Sequence, residues 1–323
     1  MIQHNEEMEK PIIVIEERPE VVPGQGEGEV PTIVVERAAE EAKPAPKRIR
    51  RRVWVMAGAV VAVLGCVALW AGWRYYRDYV HVGLPISVTS EQNIAKLQAP
   101  VDTQVKAEVV KTTDSILGVA LQFYEMRGLR AELSMNEPDT ADMDVYLYCR
   151  SADYHKDFSI IGEMVIDGNQ LETVDNWRRG YFVADEDNYA IGIARDNKAM
   201  RYARDKGGCF FRQFILLSDR TIPQTFYLHG KVERRAIGRM ANDKLYYIAT
   251  SHKETMWDFA DALREYGFVD AIYITGGYDY NFYRTADGSR YDIGDASRYP
   301  HKNHGRVPWL VFRRRKMKAP TCI

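Results

Sequence analysis

Four cysteines in 323 residues are too few for a disulfide-scaffolded protein. Neither sign of charge is in excess. With 44 basic and 45 acidic residues and a formal net charge of -1, the whole-chain electrostatic argument for nucleic-acid binding disappears. Long hydrophobic runs are missing too, with one exception. At 46% hydrophobic and 28% charged residues, the composition excludes a chain disordered throughout and a collagen-like one. The length allows one large domain or two ordinary ones with extra segments.

The exception is Val53 to Trp73, VWVMAGAVVAVLGCVALWAGW, 21 residues without a charge. That is the length a helix needs to cross a hydrocarbon core. KRIRRR, Lys47 to Arg52, precedes it with five positive charges, and Arg74 and Arg77 follow. The heavier basic flank predicts a cytoplasmic N-terminus, an extracytoplasmic C-terminal part and a cell-membrane location, facing the periplasm if the source is bacterial. Trp54, Trp70, Trp73, Tyr75 and Tyr76 suit the two interfaces. A cleaved signal peptide is a poorer fit, because its apolar core is roughly 7–15 residues long and lies near the start of the chain. A buried helix of a soluble protein is rarely apolar on every side over this length. Gly58, Gly65 and Gly72 recur every seven residues, but there is no GxxxG to argue for helix dimerisation.

Residues 1–52 read as a disordered cytoplasmic tail ending in the basic flank. Within it, PIIVIEERPE (Pro11 to Glu20) and PTIVVERAAE (Pro31 to Glu40) are similar β-prone runs that suit strand addition to a cytoplasmic partner protein. The competing reading is a flexible tail with no specific partner. Residues 74–113, broken by Pro85 and Pro100, read as a stalk or linker, or as an early accessory part. A compact domain is expected over 114–315, followed by a short tail at 316–323.

The expected fold class of that domain is α/β in the α+β sense: a mixed β-sheet with few helices, preceded by one transmembrane helix and a disordered tail. Strands are predicted at Asp144 to Cys149, Phe158 to Ile161, Met164 to Ile166, Tyr181 to Val183, Tyr189 to Ile193, Phe210 to Leu217, Leu245 to Ile248, Phe268 to Ile274 and Trp309 to Phe312. One helix is predicted after a Thr255 cap, with Trp257, Phe259, Ala260 and Leu263 on one face and a stop at Gly267.

Helix, strand and a Gly276-Gly277 turn follow one another, and two glycines at a strand end let a ligand approach the backbone. Upstream, GGCFF (Gly207 to Phe211) offers another close backbone approach and is followed by Arg212. Between them LHGKVERRAIGR packs His229, Lys231, Glu233, Arg234, Arg235 and Arg239 into twelve residues, and arginines fork onto phosphate or carboxylate oxygens.

In this order the segments resemble the phosphodiester glycosidase domain family. That family is named for the enzyme that removes N-acetylglucosamine from phosphodiester-linked mannose on lysosomal proteins, and its bacterial members are often exopolysaccharide-related. Gly207-Gly208-Cys209-Phe210-Phe211 resembles the family's NGGFF-like segment, and Arg234-Arg235-Ala236-Ile237-Gly238 its RTAIG-like segment. Phe259-Ala260 matches the helix, Ile274-Thr275-Gly276-Gly277 the LDGG strand end, and Arg306 to Val311 the closing strand, so that the likeness spans roughly residues 185–313. Gly207 stands where the family has asparagine, and Thr275 where it has aspartate.

The resemblance implies a membrane-anchored protein of the cell envelope acting on a cell-surface glycan or glycosyl-phosphodiester. The alternative is a catalytically inactive glycan-binding or envelope scaffold protein of the same fold. Arg234 is the expected anion anchor, with Asp279 or Glu233 as acid/base. Gly208, Arg212, His229, Gly276, Gly277 and Tyr278 are the expected substrate-binding residues.

Each of these has a plain structural reading: a tight turn for Gly276-Gly277, an ion-paired strand face for Arg234 and Arg235, and surface charges for Asp279 and Glu233. No cofactor is expected and no metal residue is assigned. His301 and His304 with Asp292 and Asp295 match no zinc pattern, and Asp287 to Asp295 is no EF-hand, although a divalent cation there is not excluded by composition. Cys149 and Cys209 pair only if their Cα atoms come within bridging range.

Overall fold

The computed structural model describes residues 47–76, 88–101, 104–174, 178–223, 225–226, 228–277, 279–294 and 307–315. The tail motifs of residues 1–46, the C-terminal 316–323, Tyr278, Asp295, His301 and His304 lie outside them.

In chain order the elements are α1 (Lys47–Tyr75), α2 (Ser90–Leu97), β1 (Glu108–Ile116), β2 (Val119–Arg127), β3 (Leu129–Ser134), β4 (Val145–Arg150), β5 (Met164–Ile166), β6 (Asn169–Gln170), β7 (Gly180–Ala184) and β8 (Tyr189–Ile193). There follow α3 (Lys198–Lys206), β9 (Cys209–Gln213), β10 (Ile215–Leu217), β11 (Val232–Met240), β12 (Leu245–Glu254), α4 (Met256–Tyr266), β13 (Phe268–Tyr273), β14 (Tyr280–Arg284), β15 (Arg290–Gly294) and β16 (Trp309–Arg314). The expected sheet-rich fold with few helices is the one observed.

Within α1, Val53–Tyr75 is 23 residues long with a mean hydropathy of 2.3, and none of it is buried. It is long and apolar enough to cross a membrane.

The strands form three antiparallel sheets: β1-β2-β12-β11-β13-β10, β15-β14-β4-β16-β3 and β6-β5-β9-β7-β8. Alternation along each strand sorts the side chains into layers. From β12, Leu245, Tyr247 and Ala249 enter a central core, where they meet Leu147, Leu310 and Phe312 of the second sheet and Phe182 and Phe211 of the third. Tyr246 and Ile248 of the same strand face the other way, onto α4. α3 covers the outer face of the third sheet with Ala199, Met200 and Ala203.

α4 starts where Thr255 Oγ1 accepts the Asp258 N–H at 3.0 Å and stops at Gly267, φ +115°, as the capping pattern predicts. Its buried face is Met256, Phe259, Ala260, Ala262 and Leu263. Trp257, expected on that face, is instead 46% exposed and meets Phe226 edge-on at 5.1 Å, because its position falls off the inward stripe.

Other expectations shift for local reasons. Phe158–Ile161 is not a strand, since Phe158 takes φ +68° and only isolated bridges at Ile160 and Ile161 remain. The run at 210–217 divides at Phe214, whose N–H donates to the Gln213 side chain rather than to the ladder. The chain there passes from the third sheet to the first.

The folded body also begins before Asp114. The α2 segment is closed by a Thr89–Gln92 capping box and pinned by buried Asn93, which donates to Tyr181 Oη at 2.7 Å and to the Ile191 carbonyl at 3.2 Å. Its polar sequence reads as a linker, but its inward residues are tied to the third sheet.

A pH test arises at the β2–β12 pairing. Glu125 accepts from Arg127 Nε at 2.8 Å and Lys244 lies 3.0 Å away. The Arg127 hydrogen bond, with Lys244 adding to it against a cost of burial, lowers the Glu125 carboxyl from 4.5 to about 2. A depressed carboxyl stabilises the fold above the unfolded-state value, and that stabilisation is lost as pH falls toward 2. Both cations are well exposed, so the effect is screened and modest. Thermal melts of Glu125→Gln should therefore fall less steeply than wild type between pH 4.5 and 2. Parallel profiles would show that the pair contributes nothing.

Candidate functional site

The Gly276-Gly277 turn leaves the end of β13 between two other segments. Ile274 N–H donates to the Arg235 carbonyl at 3.1 Å, and Gly277 N–H donates to the Glu233 carbonyl at 2.9 Å, so β11 flanks the turn. Thr275 Oγ1 donates to the Ala152 carbonyl at 2.9 Å, which fixes the segment after β4 on the other flank. Glycine is required at 276, where a Cβ would sit 2.2 Å from Tyr273 Oη. Gly277 has φ +83°, and a Cβ there would meet nothing within 4 Å. Its backbone therefore faces open space.

Beneath the turn lies a buried charged cluster. Arg235 Nη1 donates to the Gly277 carbonyl, and its Nη2 is 3.5 Å from Glu233 Oε2. Burial opposes the Arg235 charge, but Tyr247, Asp279 and Glu233 outweigh it and raise the guanidinium above its ordinary value. Asp279 Oδ1 accepts the Tyr280 N–H at 3.0 Å and lies 3.8 Å from Arg150 Nε. Asp279 Oδ2 is buried with no hydrogen-bond partner among the described residues. Burial pushes the Asp279 carboxyl up, and Arg235 and Arg150 offset only part of that rise. Arg150 is itself positioned by Tyr154 Oη at 2.6 Å and by the Trp309 ring, whose centroid is 5.7 Å away.

A second charged group stands where the Ala152 contact leads. Asp153 Oδ2 accepts from Arg178 Nη2 at 2.9 Å and from Gln213 Nε2 at 3.1 Å. Arg178 also donates from Nε to Gln213 Oε1 at 2.9 Å and lies over Phe214, 4.8 Å from the ring centroid.

Of the residues singled out from sequence, Glu233, Gly276, Gly277 and Asp279 come together. Arg234 points to the other face of β11, where it is fully buried and meets the Tyr273 hydroxyl that borders Gly276. Its Nε donates to the Glu254 carbonyl at 2.9 Å and its Nη2 to the Gly230 carbonyl at 2.7 Å, with Tyr273 Oη 3.5 Å from Nη1. It thereby braces the exposed loop that carries His229. Gly208 belongs to the stop of α3: its N–H donates to the Ala203 carbonyl at 2.8 Å, and a Cβ would sit 2.5 Å from the Ala184 carbonyl oxygen. Arg212 pairs with Glu163, Nε to Oε2 at 2.6 Å, and donates to Asn197 Oδ1 at 3.0 Å. Burial lowers the Arg212 value despite Glu163.

The sequence reading did not single out Arg150, Asp153 or Arg178, and it named Arg234 where Arg235 is the arginine that reaches the Gly277 carbonyl. Two signals were present. Arg150 closes an otherwise apolar strand, and Arg235 shares alternation with Ile237, a central-core residue.

Among the described residues no group of three or more His, Cys, Asp or Glu is arranged to hold a metal ion. Cys149 and Cys209 are free, buried thiols. Burial raises both, Cys209 to about 12.

No protein-family model matches the chain, and no curated protein matches it in sequence. Solved structures are similar to it at low identity. The catalytic domain of zebrafish N-acetylglucosamine-1-phosphodiester alpha-N-acetylglucosaminidase, auto-inhibited by its pro-peptide, shares 12% identity at a TM-score of 0.45, over 67% of this chain and 84% of that one. A hypothetical protein from Synechocystis shares 8% identity at a TM-score of 0.46, over 65% of this chain and 62% of that one.

Proposed function

We propose that this is a single-pass membrane protein whose C-terminal domain stands outside the cytoplasm and cleaves a glycosyl phosphodiester of the cell envelope at the Gly276-Gly277 turn. The apolar helix with its basic N-terminal flank supports the anchor and its orientation. One observation carries the chemistry: a buried arginine, Arg235, is held between the Gly277 carbonyl and the Asp279 and Glu233 carboxylates, under a glycine whose side is open. A guanidinium kept charged in a water-poor place is suited to stabilise charge gathering on a departing phosphate. Arg235 takes the anion role expected of Arg234, and Arg234 supports the His229 loop. Glu233, half-exposed at the rim, is placed to meet sugar hydroxyls, and Asp279 fixes Arg235 and Arg150 from below.

A second reading, glycan binding without turnover, is favoured by Thr275. It stands at the family's aspartate position, and its hydroxyl is committed to the Ala152 carbonyl.

Full-length protein in detergent, incubated with methyl diesters of sugar 1-phosphates (N-acetylglucosamine, glucose and mannose), should release free sugar. Arg235→Lys should lose most of that release, because a point charge does not reproduce the fork. Binding of these diesters with no release from any of them would select the second reading.

A further inference from the structure

We infer that Asp153 is the general base of this site, taking a proton from the water that attacks the sugar. The inference rests on the hydrolytic reading above and names the residue that completes it.

Three observations carry it. The first is position. The Thr275–Ala152 hydrogen bond at 2.9 Å sets Asp153, the next residue, beside the last residue before the Gly276-Gly277 turn. The second is how the carboxylate is held. Both of its hydrogen bonds, from Arg178 and Gln213, go to Oδ2. Asp153 Oδ1 accepts none among the described residues, and the side chain is 23% exposed. One oxygen is thus clamped, and the other keeps its lone pairs free in a part-exposed side chain. A base needs both features, a fixed geometry and a free lone pair within reach of water. The clamp is itself rigid, because Arg178 is locked by Gln213 and Phe214.

The third is proximity to the turn. Burial is the main cause of a raised Tyr273 hydroxyl, and the charge of Asp153 is the next. That hydroxyl lies 2.2 Å from where a Cβ of Gly276 would stand. The other two carboxylates fit the task less well. Asp279 is wholly buried, and Glu233, ion-paired and part-exposed like Asp153, meets only Arg235 at 3.5 Å and lacks a clamp of two hydrogen bonds on one oxygen.

The step balances as a single displacement. Asp153 Oδ1 takes a proton from water, and the water oxygen bonds to the anomeric carbon. The bond from that carbon to the bridging phosphate oxygen breaks, and its electron pair stays on the phosphate. The products are free sugar and a phosphomonoester, whose departure needs no proton.

The test uses full-length protein in detergent and whichever of the three methyl diesters turns over fastest. Asp153→Asn should lower kcat about 100-fold or more with KM within error of wild type. Because it also takes the charge partner from buried Arg178, it lowers the melting temperature as well, so azide rescue carries the decision. Added azide, which needs no base, should restore turnover of Asp153→Asn and yield a glycosyl azide. A purely structural clamp would lower turnover through lost folding alone, and azide would rescue nothing. Wild-type turnover with an undiminished Asp153→Asn, or an inactive Asp153→Asn that azide fails to rescue, overturns the role of Asp153 alone. Absence of wild-type turnover on all three diesters overturns the hydrolytic reading and this inference together.

Discussion

Arg235→Met is expected to cost the folded domain about 3–5 kcal/mol, the usual penalty for removing one partner of a buried charged group. The mutation removes the donor to the Gly277 carbonyl and the charge facing Asp279 and Glu233. Methionine fills similar volume, so the loss reports the charge and its hydrogen bonds rather than a cavity. The neighbouring Arg234→Met supplies the comparison. Arg234 is buried as deeply, but the partners it meets are neutral: the carbonyls of Glu254 and Gly230 and the Tyr273 hydroxyl, with no carboxylate in ion-pair range among the described residues. Its loss should cost about 1–3 kcal/mol. Urea denaturation followed by far-ultraviolet circular dichroism, with the same detergent throughout, separates the two. If Arg234→Met proves the more damaging, the buried cluster under the turn is not the centre of this site.

Adjacent arginines with such different surroundings show what sequence can and cannot convey. The Gly-Gly strand end, the capped helix before it and most strands of the second half were legible, because they depend on local chemistry: Thr255 at a cap, Gly267 at a stop, β-branched runs between turns. β11 was not among the predicted strands, and a strand face entered only as the plain reading of Arg234 and Arg235. VERRAIGRM carries four charges in nine residues, and only its partners on both sides, β12 and β13, make that pattern stable in a sheet. Which of Arg234 and Arg235 faces the second sheet is a matter of register, and a shift of one residue exchanges them. The bulge between Glu233 and Arg235 alters that register locally. Asp153 and Arg178 were hidden for another reason. Asp153 follows Ala152, which Thr275 reaches across 123 residues, and Arg178 meets Gln213 across 35, contacts that leave no local trace in the sequence. Within the segment expected to be a stalk, linker or early accessory part, the polar α2 packs on the third sheet through Asn93 and Leu97, long-range contacts that composition does not announce.

Gly294→Ala should be the most damaging single methyl in the domain's second half. Gly294 ends β15 with φ +88°, opposite Tyr280, and an added Cβ would lie 2.2 Å from the Asp279 carbonyl oxygen. Two costs combine there. A left-handed conformation costs an L-residue about 1–2 kcal/mol. Displacing a neighbouring backbone to relieve an overpacked contact costs about 1–3 kcal/mol more. Gly118→Ala isolates the first, because Gly118 has φ +83° at the β1–β2 turn and its Cβ would meet nothing within 4 Å. The difference between the two variants therefore measures the collision with Asp279. Asp279 can yield only by dragging its carboxylate from the place where Arg235 and Arg150 act on it, so Gly294→Ala should also depress turnover, and Gly118→Ala should not. Equal stability losses, with turnover intact in both, would mean that the Asp279 backbone moves freely and that the cluster beneath the glycine turn does not depend on its position.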